Sequence, residues 1–353
     1  MDFRPAMGST TGIGRYTAAL AAALQRDGCE MRLFGVFFTG NRRAARRAPP
    51  GTRLVAWRIP IRTLRWLRAA GLRPVERVLG GCDLFHHTNF LMAPVSPRTT
   101  QVMTFHDLAF MADPSCHTPA AVTALSGVVK RAAGRCGAIL VPSEATARDC
   151  ETHLGLGRDR IFLTPEGVDE AFFDLPDVAP ERPFMLALGT LEPRKNYSRL
   201  IRAFVRARID AELLIVGRDG WLFEDVYAAA AGHENVRILG HVPEEKLRQL
   251  LAGADAVLYP SLMEGFGLPI LEGLAAGKPV LTSDRDPMRE VAGGAALLVD
   301  PTDEDALRDG LVRLRGDTGL REELSRRGPP RARQFTWERC AAATRRAYEA
   351  VLA

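Results

Sequence analysis

The chain of 353 residues contains no long run of apolar side chains. A helix that crosses a bilayer needs about 20 largely apolar residues in succession, so the sequence predicts no transmembrane segment. The N-terminus also lacks the basic stretch followed by an apolar one that a secretory signal peptide would have. These two absences argue against the integral membrane and secreted classes, and we expect a cytoplasmic protein.

Cysteines are few, and none of the six lies in a Cys-x-x-Cys pair or at a spacing typical of a zinc site. Neither a disulfide framework nor a structural metal is therefore expected, and the plain interpretation is reduced, buried thiols. The six are Cys29, Cys82, Cys116, Cys136, Cys150 and Cys340.

The composition, 46% apolar and 25% charged, suits a globular protein, and the length allows two hydrophobic cores. Apolar strand-like runs alternate with helical patterns, which is typical of parallel sheets with helices on both faces. A stretch rich in proline and acids at 174–183 interrupts this alternation. We therefore predict an α/β fold of two Rossmann-like domains, residues 1–173 and 184–334, with parallel sheets that face each other across a cleft.

The strand predictions follow from short apolar runs bounded by turn residues. The first of them, Met1–Phe3, is either very short or truncated, and a truncated strand would place the true start of the domain upstream. The other predicted strands are Met31–Phe38, Asp83–His87, Gln101–Asp107, Ala138–Pro142, Ile161–Asp169 (running into a loop), Phe184–Leu188, Glu212–Val216, Val236–Leu239, Ala256–Tyr259, Pro279–Thr282 and Ala296–Val299.

Positive charge is concentrated within 42–77, where eleven arginines accompany one acid, Glu76. Within Arg58–Ala70, apolar and arginine side chains each recur at every third residue beside Trp66. On a helix this pattern gives an apolar stripe flanked by cations, which suits anionic lipid headgroups. An ordinary surface helix packed on the domain core is the alternative. Nucleic acid is disfavoured, because no recognised binding module is present. The apolar positions are Ile61, Leu64 and Leu67, and the arginines are Arg62, Arg65 and Arg68.

The stretch Tyr259–Glu272 follows an apolar run and leads into a helix, with two glycines and a proline between Glu264 and Glu272. Free N–H groups at such a strand–loop–helix junction bind anions, and the helix dipole assists them. A carboxylate beside a phosphate suits sugar hydroxyls, so Glu264 is predicted to bind one sugar and Glu272 a ribose. The alternative is a buried loop in which Glu264 caps the helix and Glu272 faces solvent.

Two cations, Arg194 and Lys195, lie in the loop Gly189–Asn196, where the first strand of the second domain turns into a helix. Carboxyl ends of parallel strands share one edge of a sheet, so this loop and Glu264 are expected on the same side. A diphosphate needs countercharge, which arginine supplies as a fork and lysine as a point charge. A solvated pair is the alternative.

Signals in the first domain are weaker. Gly12-Ile13-Gly14 opens a helix and could face a phosphate, although many such turns are only tight connections. His106 ends a predicted strand, where doubly wound sheets bind ligands. A hydrogen-bonded structural histidine at a strand end is the alternative, and we keep that interpretation for His86 and His87.

Taken together, these motifs resemble glycosyltransferase family 4, and the resemblance covers nearly the whole chain. It implies the GT-B fold and transfer of a sugar from a nucleotide diphosphate sugar with retention of anomeric configuration, usually without a bound metal. It also implies that 335–353 forms a last helix that crosses back onto the first domain. The matching stretches are Gly12–Tyr16, Phe105–Leu108, Pro165–Asp169, Gly189–Asn196, Tyr259–Glu272, Gly277–Val280 and Ala295–Pro301.

By position, the resemblance implies that Gly14 approaches the donor phosphate and that His106 hydrogen-bonds the donor sugar near the reacting carbon. Arg194 and Lys195 would hold the diphosphate and stabilise the charge of the leaving group. Glu264 would hold the sugar and phosphate, and Glu272 the ribose. The remaining donor-binding positions are Thr190, Gly265, Phe266, Gly267 and Leu268; Thr190 stands where many members have arginine.

The Arg194–Lys195 pair resembles a subgroup that includes mannosyltransferases of cell-surface polysaccharide assembly. The first hypothesis is therefore a retaining transferase that uses GDP-mannose and a glycan or polyprenyl-linked acceptor. No carboxylate is placed as a nucleophile, which favours front-face displacement. The alternatives are a synthase or phosphorylase acting on soluble sugars, and a non-catalytic protein that binds sugar nucleotides. Asp284–Asp286 resembles a metal motif but is interpreted as a loop, so no metal cofactor is expected.

Overall fold

The protein is described by a computed structural model that covers residues 1–8, 11–37, 47–59, 63, 66–67, 70, 75–176 and 178–353. The chain divides into two compact units. Unit 1 comprises residues 1–114, 118–167 and 337–353, and unit 2 comprises residues 115–117 and 168–336. The end of the chain therefore folds with its beginning, and the three residues 115–117 fold with the second half.

Unit 1 contains two parallel sheets. One pairs β1 (Arg32–Phe37) with β2 (Arg53–Arg58), and the other has the order β3 (Leu84–His87), β4 (Thr100–Thr104), β5 (Ala138–Val141), β6 (Ile161–Leu163). Alternate residues of β5 enter two different hydrophobic clusters, one with Ile139 and Val141 and one with Ala138 and Leu140. The larger sheet is therefore buried on both faces, which explains its uninterrupted apolar sequence.

The first three residues connect the two sheets of unit 1. The N–H of Asp2 donates to the His86 carbonyl at 2.8 Å, and the N–H of Phe3 donates to the Phe34 carbonyl at 2.7 Å. The N–H of Phe34 in turn donates to the Met1 carbonyl at 2.9 Å. Met1–Phe3, predicted as a very short or truncated strand, thus contributes a single parallel bridge between Asp2 and Phe34 rather than a regular strand.

Unit 2 is built on one six-stranded parallel sheet. Its order is β12 (Leu297–Val299), β11 (Val280–Ser283), β10 (Ala256–Tyr259), β7 (Phe184–Leu188), β8 (Glu212–Val216), β9 (Val236–Gly240). The chain runs outward from β7 to β9 and then returns to the other side of β7 with β10. The strand order therefore reverses between β7 and β10, and in open parallel sheets ligands bind beyond the carboxyl ends of the strands at such a reversal.

Strand β7 lies at the centre of unit 2 and is buried at every position. Leu186 and Leu188 point into one hydrophobic cluster, and Met185 and Ala187 point into the other. Because successive side chains of a strand alternate between faces, both faces of this sheet are covered. The two loops that follow β7 and β10 are thus carried by the most deeply buried part of unit 2.

Helices connect the strands in both units. Those described in unit 1 are α1 (Gly12–Arg26), α2 (Val75–Leu79), α3 (Ala109–Ala112), α4 (Pro119–Ala133), α5 (Glu144–Leu154) and α13 (Trp337–Leu352), and those in unit 2 are α6 (Tyr197–Ala207), α7 (Glu224–Ala230), α8 (Glu244–Gly253), α9 (Leu268–Ala275), α10 (Met288–Ala292), α11 (Glu304–Gly316) and α12 (Thr318–Ala332). The two domains with parallel sheets confirm the predicted α/β fold.

The arginine-rich segment Arg58–Ala70 lies mostly outside the described residues, including Arg62, Arg65 and Arg68. Its start was wrongly predicted as helix, because Arg58 is the last residue of β2. Strand β2 was missed since both of its ends are exposed arginines. Leu67 packs against the hydrophobic cluster of Phe34 and Phe85, whereas Trp66 is 63% exposed.

All six cysteines are free thiols. Cys116, Cys136, Cys150 and Cys340 are buried, while Cys29 and Cys82 are half-buried. Burial raises the pKa of Cys136 and Cys150 to about 12, so these thiols stay protonated and unreactive at neutral pH. Among the described residues, no helix combines the length and the apolar character that a bilayer crossing would need.

Candidate active site

The loops after β7 and β10 meet at the strand reversal of unit 2. The N–H of Leu262 donates to the Arg194 carbonyl at 2.7 Å, which joins the two loops through their backbones. The Asn196 side chain adds hydrogen bonds from Nδ2 to the carbonyls of Pro260, at 3.1 Å, and Pro301, at 2.7 Å. The side chains of both loops are thereby fixed relative to one another.

Both cations that were predicted from the sequence, Arg194 and Lys195, form ion pairs with Glu264. Arg194 Nη1 lies 2.5 Å from Glu264 Oε2, and Lys195 Nζ lies 2.6 Å from Glu264 Oε1. Arg194 Nη1 also donates to the Met263 carbonyl at 3.1 Å, and Lys195 Nζ donates to Tyr259 Oη at 2.6 Å. The alternative of a solvated Arg–Lys pair is excluded, because both cations are engaged inside the protein.

Electrostatics hold this arrangement in its charged form. Burial alone would raise the pKa of Glu264, but Arg194 and Lys195 outweigh it and lower that pKa to about 2. Burial lowers the pKa of Lys195, and the charge of Glu264 opposes this effect. A buried carboxylate can stay ionised only with such compensation. Glu264 is therefore an anion at neutral pH.

Glu192 is a member of this cluster that the sequence analysis did not single out. Its side chain is 2% exposed, and its Oε1 lies 2.6 Å from Arg194 Nε. Together with Glu264, Arg194 and Lys195 it forms a set of two acids and two bases. We call these four side chains the ion cluster. The sequence feature that could have indicated this ion pair is the position of Glu192 two residues before Arg194 in the same loop.

Backbone geometry shapes the loop that carries Arg194 and Lys195. Gly189 has φ of +141°, and a Cβ there would lie 2.9 Å from Tyr197 Oη. Asn196, at the other end of the loop, has φ of 62° in the left-handed region, which asparagine tolerates better than most residues. Thr190 Cγ2 would lie 2.7 Å from a Cβ at Gly220, so Thr190 packs against the neighbouring loop.

The loop after β10 ends at Gly267, the N-cap of α9, whose φ is +117°. No side chain caps this helix, so the alternative role of Glu264 as a cap is wrong. The ring of Phe266 packs edge-on against Phe335 at 5.6 Å, inside the core. The ring of Phe266 is therefore directed into the core of unit 2, and the glycines at 265 and 267 add no side chain to the loop.

Glu272 lies on α9, just past its first turn, with 2% of its surface exposed. The alternative that places this carboxylate on a solvated helix face is therefore wrong. A glutamate is rarely buried to this degree without a partner or a ligand. The predicted contact of Glu272 with a ribose stays a prediction.

His106 follows β4 in unit 1, and both of its ring nitrogens have partners. Nε2 lies 3.0 Å from the Thr88 carbonyl, and Nδ1 lies 3.2 Å from Glu166 Oε1. Both partners can accept a hydrogen bond, so each ring nitrogen that carries a proton has an acceptor within reach. Burial alone would lower the pKa of His106, but the hydrogen bond and charge of Glu166 raise it. Glu166, which the sequence analysis did not single out, is thus the partner of His106.

Gly14 lies near the start of α1, where its N–H donates to Thr11 Oγ1 at 3.0 Å. Two residues on, the ring of Tyr16 packs edge-on against His106 at 4.7 Å. Tyr16 Oη also lies 2.9 Å from Thr104 Oγ1. The glycine-rich turn and the predicted sugar-binding histidine are therefore neighbours within unit 1.

A buried chain of polar side chains continues from Thr104 through unit 1. His86 Nε2 lies 2.8 Å from Thr104 Oγ1, and His86 Nδ1 lies 2.7 Å from Tyr348 Oη on α13. Burial lowers the pKa of His86 well below its usual range, so this ring is neutral. His86 is thus a structural histidine, as interpreted from the sequence.

Asp284 and Asp286 are both turned toward Arg289. Arg289 Nε lies 2.7 Å from Asp284 Oδ1, and Arg289 Nη1 lies 3.7 Å from Asp286 Oδ1. The side chains of all three residues are largely exposed. The segment is a surface turn with internal ion pairs, in agreement with the loop interpretation.

Comparison with known families agrees with this geometry. A family model described as Glycosyltransferase Family 4 matches residues 10–172, and one described as Glycosyl transferases group 1 matches residues 169–331. The O-antigen chain mannosyltransferase B of Escherichia coli is 30% identical over an alignment 378 residues long. The alignment covers 96% of this chain and 96% of that protein. The chain belongs to glycosyltransferase family 4.

Solved structures show the same architecture for this family 4 glycosyltransferase. The sucrose-phosphate synthase of Thermosynechococcus elongatus has a TM-score of 0.77 at 20% identity, covering 97% of this chain and 94% of that one. The Anabaena protein Alr3699/HepE, in complex with UDP and glucose, has a TM-score of 0.76 at 17% identity, covering 97% of each chain. These similarities establish the GT-B fold.

Proposed function

We propose that this family 4 glycosyltransferase moves a hexose, with retention of configuration, from a nucleotide diphosphate sugar to a glycan or polyprenyl-linked acceptor. The observation that carries the proposal is the bridge from Glu264 to Arg194 and Lys195 at the strand reversal of unit 2. An anion that binds at this point contacts two cations and the N-terminus of α9. The sugar hydroxyl groups on either side of the anion contact two buried carboxylates, Glu264 and Glu272. A sugar diphosphate has both features.

Mannose from GDP-mannose is the donor that we favour, and surface polysaccharide is the product class. The support is the Escherichia coli relative, whose name is O-antigen chain mannosyltransferase B and which matches along almost the whole chain. The Arg194–Lys195 pair adds support, because it resembles the corresponding residues of a subgroup that includes mannosyltransferases. The complex of UDP with Alr3699/HepE makes a uridine donor the competing choice.

The proposed mechanism relies on charge rather than on a protein nucleophile. Cations and N–H groups fixed before the reaction stabilise the negative charge that develops on the leaving diphosphate. Arg194 and Lys195 supply the cations, and the backbone of Gly265–Leu268 supplies the N–H groups. The leaving phosphate accepts the proton of the acceptor hydroxyl on the same face of the sugar. No metal takes part in this scheme.

Thermal unfolding with a panel of sugar nucleotides tests the donor. We expect GDP-mannose to raise the melting temperature of the wild type, since a ligand that binds only the folded state stabilises it. Glu272→Ala should abolish the shift, because the ribose loses its acceptor. Glu245→Ala, an exposed acid on α8, is the control and should keep it. A wild type whose melting temperature no sugar nucleotide changes would contradict the enzymatic function.

A soluble-sugar synthase and a non-catalytic binding protein are the alternative functions. The sucrose-phosphate synthase shares the fold, and at 20% identity this likeness extends no further. Turnover separates the alternatives: release of nucleoside diphosphate only with a free sugar phosphate indicates a synthase, and binding without any release indicates a non-catalytic protein. The exposed Trp66 within the arginine-rich segment favours a transferase with a membrane-bound acceptor over both alternatives.

We further propose that Arg58–Ala70 docks on anionic lipid at the inner face of the plasma membrane. Trp66 is exposed while its neighbour Leu67 packs on a hydrophobic cluster of unit 1, so Trp66 presents an aromatic ring to the solvent. Aromatic rings and basic side chains favour the lipid interface.

The membrane proposal predicts that charge reversal at Arg62, Arg65 and Arg68 releases the protein from phosphatidylglycerol vesicles. Each basic residue near an anionic surface contributes about 1 kcal/mol, so the triple change to glutamate should weaken binding at least about a hundredfold in sedimentation assays. The control reverses three exposed arginines elsewhere, Arg313, Arg326 and Arg346, and should bind nearly as well as wild type. Equal losses in both variants would contradict a dedicated docking segment.

A further inference from the structure

The ion cluster contains as many acids as bases, so its net charge is zero. Arg194 carries an acid on each side of its guanidinium group: Glu192 Oε1 lies 2.6 Å from Nε, and Glu264 Oε2 lies 2.5 Å from Nη1. The proposed mechanism uses Glu264 for the sugar and the two cations for the diphosphate. It leaves Glu192, a buried carboxylate that touches the phosphate-binding arginine, without a role.

A buried acid beside a phosphate-binding arginine opposes phosphate binding. It forms an ion pair with one edge of the guanidinium group and adds a negative charge close to the proposed diphosphate site, where screening by solvent is weak. Burying an acid in this way costs free energy unless it is paired. Glu192 therefore weakens the affinity of the site for the anion that has to leave after each transfer.

Positioning of Arg194 does not require Glu192. The guanidinium group is also held by Glu264 and by the Met263 carbonyl, which is 3.1 Å from Nη1. The backbone of Arg194 is fixed by its own carbonyl, which accepts the N–H of Leu262. Removing the charge of Glu192 therefore leaves the arginine in place while the net charge of the cluster becomes positive.

We propose that Glu192 sets the affinity of the donor site for the nucleoside diphosphate, by keeping Arg194 charge-balanced so that the product is released. The inference rests on the proposed function, since it takes the ion cluster as the diphosphate site. In this proposal Glu192 acts through the charge of Arg194 and not by contact with the substrate, so it is not a catalytic residue. Its contribution is a balance of charge, and it is lost when the carboxylate becomes an amide of the same shape.

Calorimetric titration with GDP, UDP and inorganic pyrophosphate tests this role. We expect Glu192→Gln to bind whichever nucleoside diphosphate the wild type binds about tenfold more tightly, and pyrophosphate more tightly as well. The affinity of the variant should also fall more steeply with added salt, because the site has gained a net charge. In turnover assays, both kcat and KM for the donor should fall, with stronger inhibition by the product.

Two further variants complete the experiment. Glu224→Gln removes the same charge from an exposed position in the first turn of α7 and should leave every affinity within about twofold of wild type. Glu192→Asp retains a carboxylate but shortens the side chain by one methylene, which moves the negative charge away from Arg194. The affinity of this variant for the nucleoside diphosphate should therefore lie between the affinities of wild type and Glu192→Gln. If Glu192→Gln does not fold, Glu192→Asp decides: tighter binding supports the proposal, and equal or weaker binding overturns it.

The outcomes separate this inference from the proposed function. Folded Glu192→Gln that binds the diphosphate as wild type does, or more weakly, overturns the charge-balancing role and leaves the transferase function standing. Tighter pyrophosphate binding by Glu192→Gln, with no nucleoside diphosphate bound by any variant, supports charge balancing and contradicts the nucleotide-sugar donor.

Discussion

Glu264→Ala is expected to lose essentially all transferase activity and about 3–5 kcal/mol of unfolding free energy. The change leaves Arg194 and Lys195 buried without the carboxylate that both of them contact. A buried charge that loses its partner costs far more than an exposed ion pair contributes. Transfer should fall at least about a thousandfold, because the sugar contact and the orientation of both cations are lost together.

Urea-induced unfolding, followed by fluorescence and circular dichroism, measures this cost. Glu224→Ala removes an exposed acid from the same unit and should change the unfolding free energy by less than about 0.5 kcal/mol. An unfolding midpoint for Glu264→Ala equal to that of this control would mean that the cations find other partners and that the ion cluster does not stabilise unit 2.

The pH dependence gives an independent check on Glu264. Its pKa of about 2 in the folded protein lies below the ordinary value of 4.5. The resulting stabilisation is therefore fully present above about pH 4.5 and is lost as the pH falls from there toward 2. The difference in unfolding free energy between wild type and Glu264→Gln should shrink over this range.

Gly217→Ala is expected to have the second largest effect. A Cβ at this position, which follows β8, would lie 1.8 Å from the Gly189 carbonyl oxygen and 2.6 Å from its carbon. The obstacle is backbone rather than a flexible side chain, so β7 and β8 would have to separate where the loop Gly189–Asn196 begins. We expect a loss of about 3 kcal/mol of unfolding free energy and displacement of Arg194 and Lys195.

Gly316→Ala is the matched control for this prediction. Gly316 ends α11 in the same unit, and a Cβ there would meet no atom within 4 Å. Alanine favours helix by up to about 1 kcal/mol over glycine, so this variant should be as stable as wild type or more so. If Gly217→Ala unfolded at the same denaturant concentration as Gly316→Ala, the close approach of the two loops would not constrain the site.

Much of the fold could be predicted from the sequence, because parallel strands buried on both faces are short and uniformly apolar. Phe184–Leu188, Glu212–Val216 and Ala256–Tyr259 were predicted with the bounds that the structure shows. Strand β2 could not be, since it is only half-buried and its ends are exposed arginines. A short run of apolar residues predicts a strand whose side chains are buried, and the side chains of β2 are only partly buried or exposed.

The candidate site was predictable where a side chain and its neighbours in sequence define the chemistry. Glu264, Arg194 and Lys195 were identified because carboxyl ends of parallel strands share an edge. Glu192 and Glu166 were not, because their importance lies in contacts with Arg194 and His106. The pairing of His106 with Glu166 joins residues sixty positions apart, which no local pattern encodes.

The arrangement of unit 1 also constrains how the chain folds while it is being made. Helix α13 contributes buried residues such as Cys340, Thr344 and Ala347, and Tyr348 ends the buried polar chain through His86. During vectorial synthesis this helix leaves the ribosome after the residues of unit 2. Unit 2 has by then been completed, and proteins fold largely domain by domain as they emerge. Unit 1, whose synthesis begins before that of unit 2, is therefore completed only after unit 2.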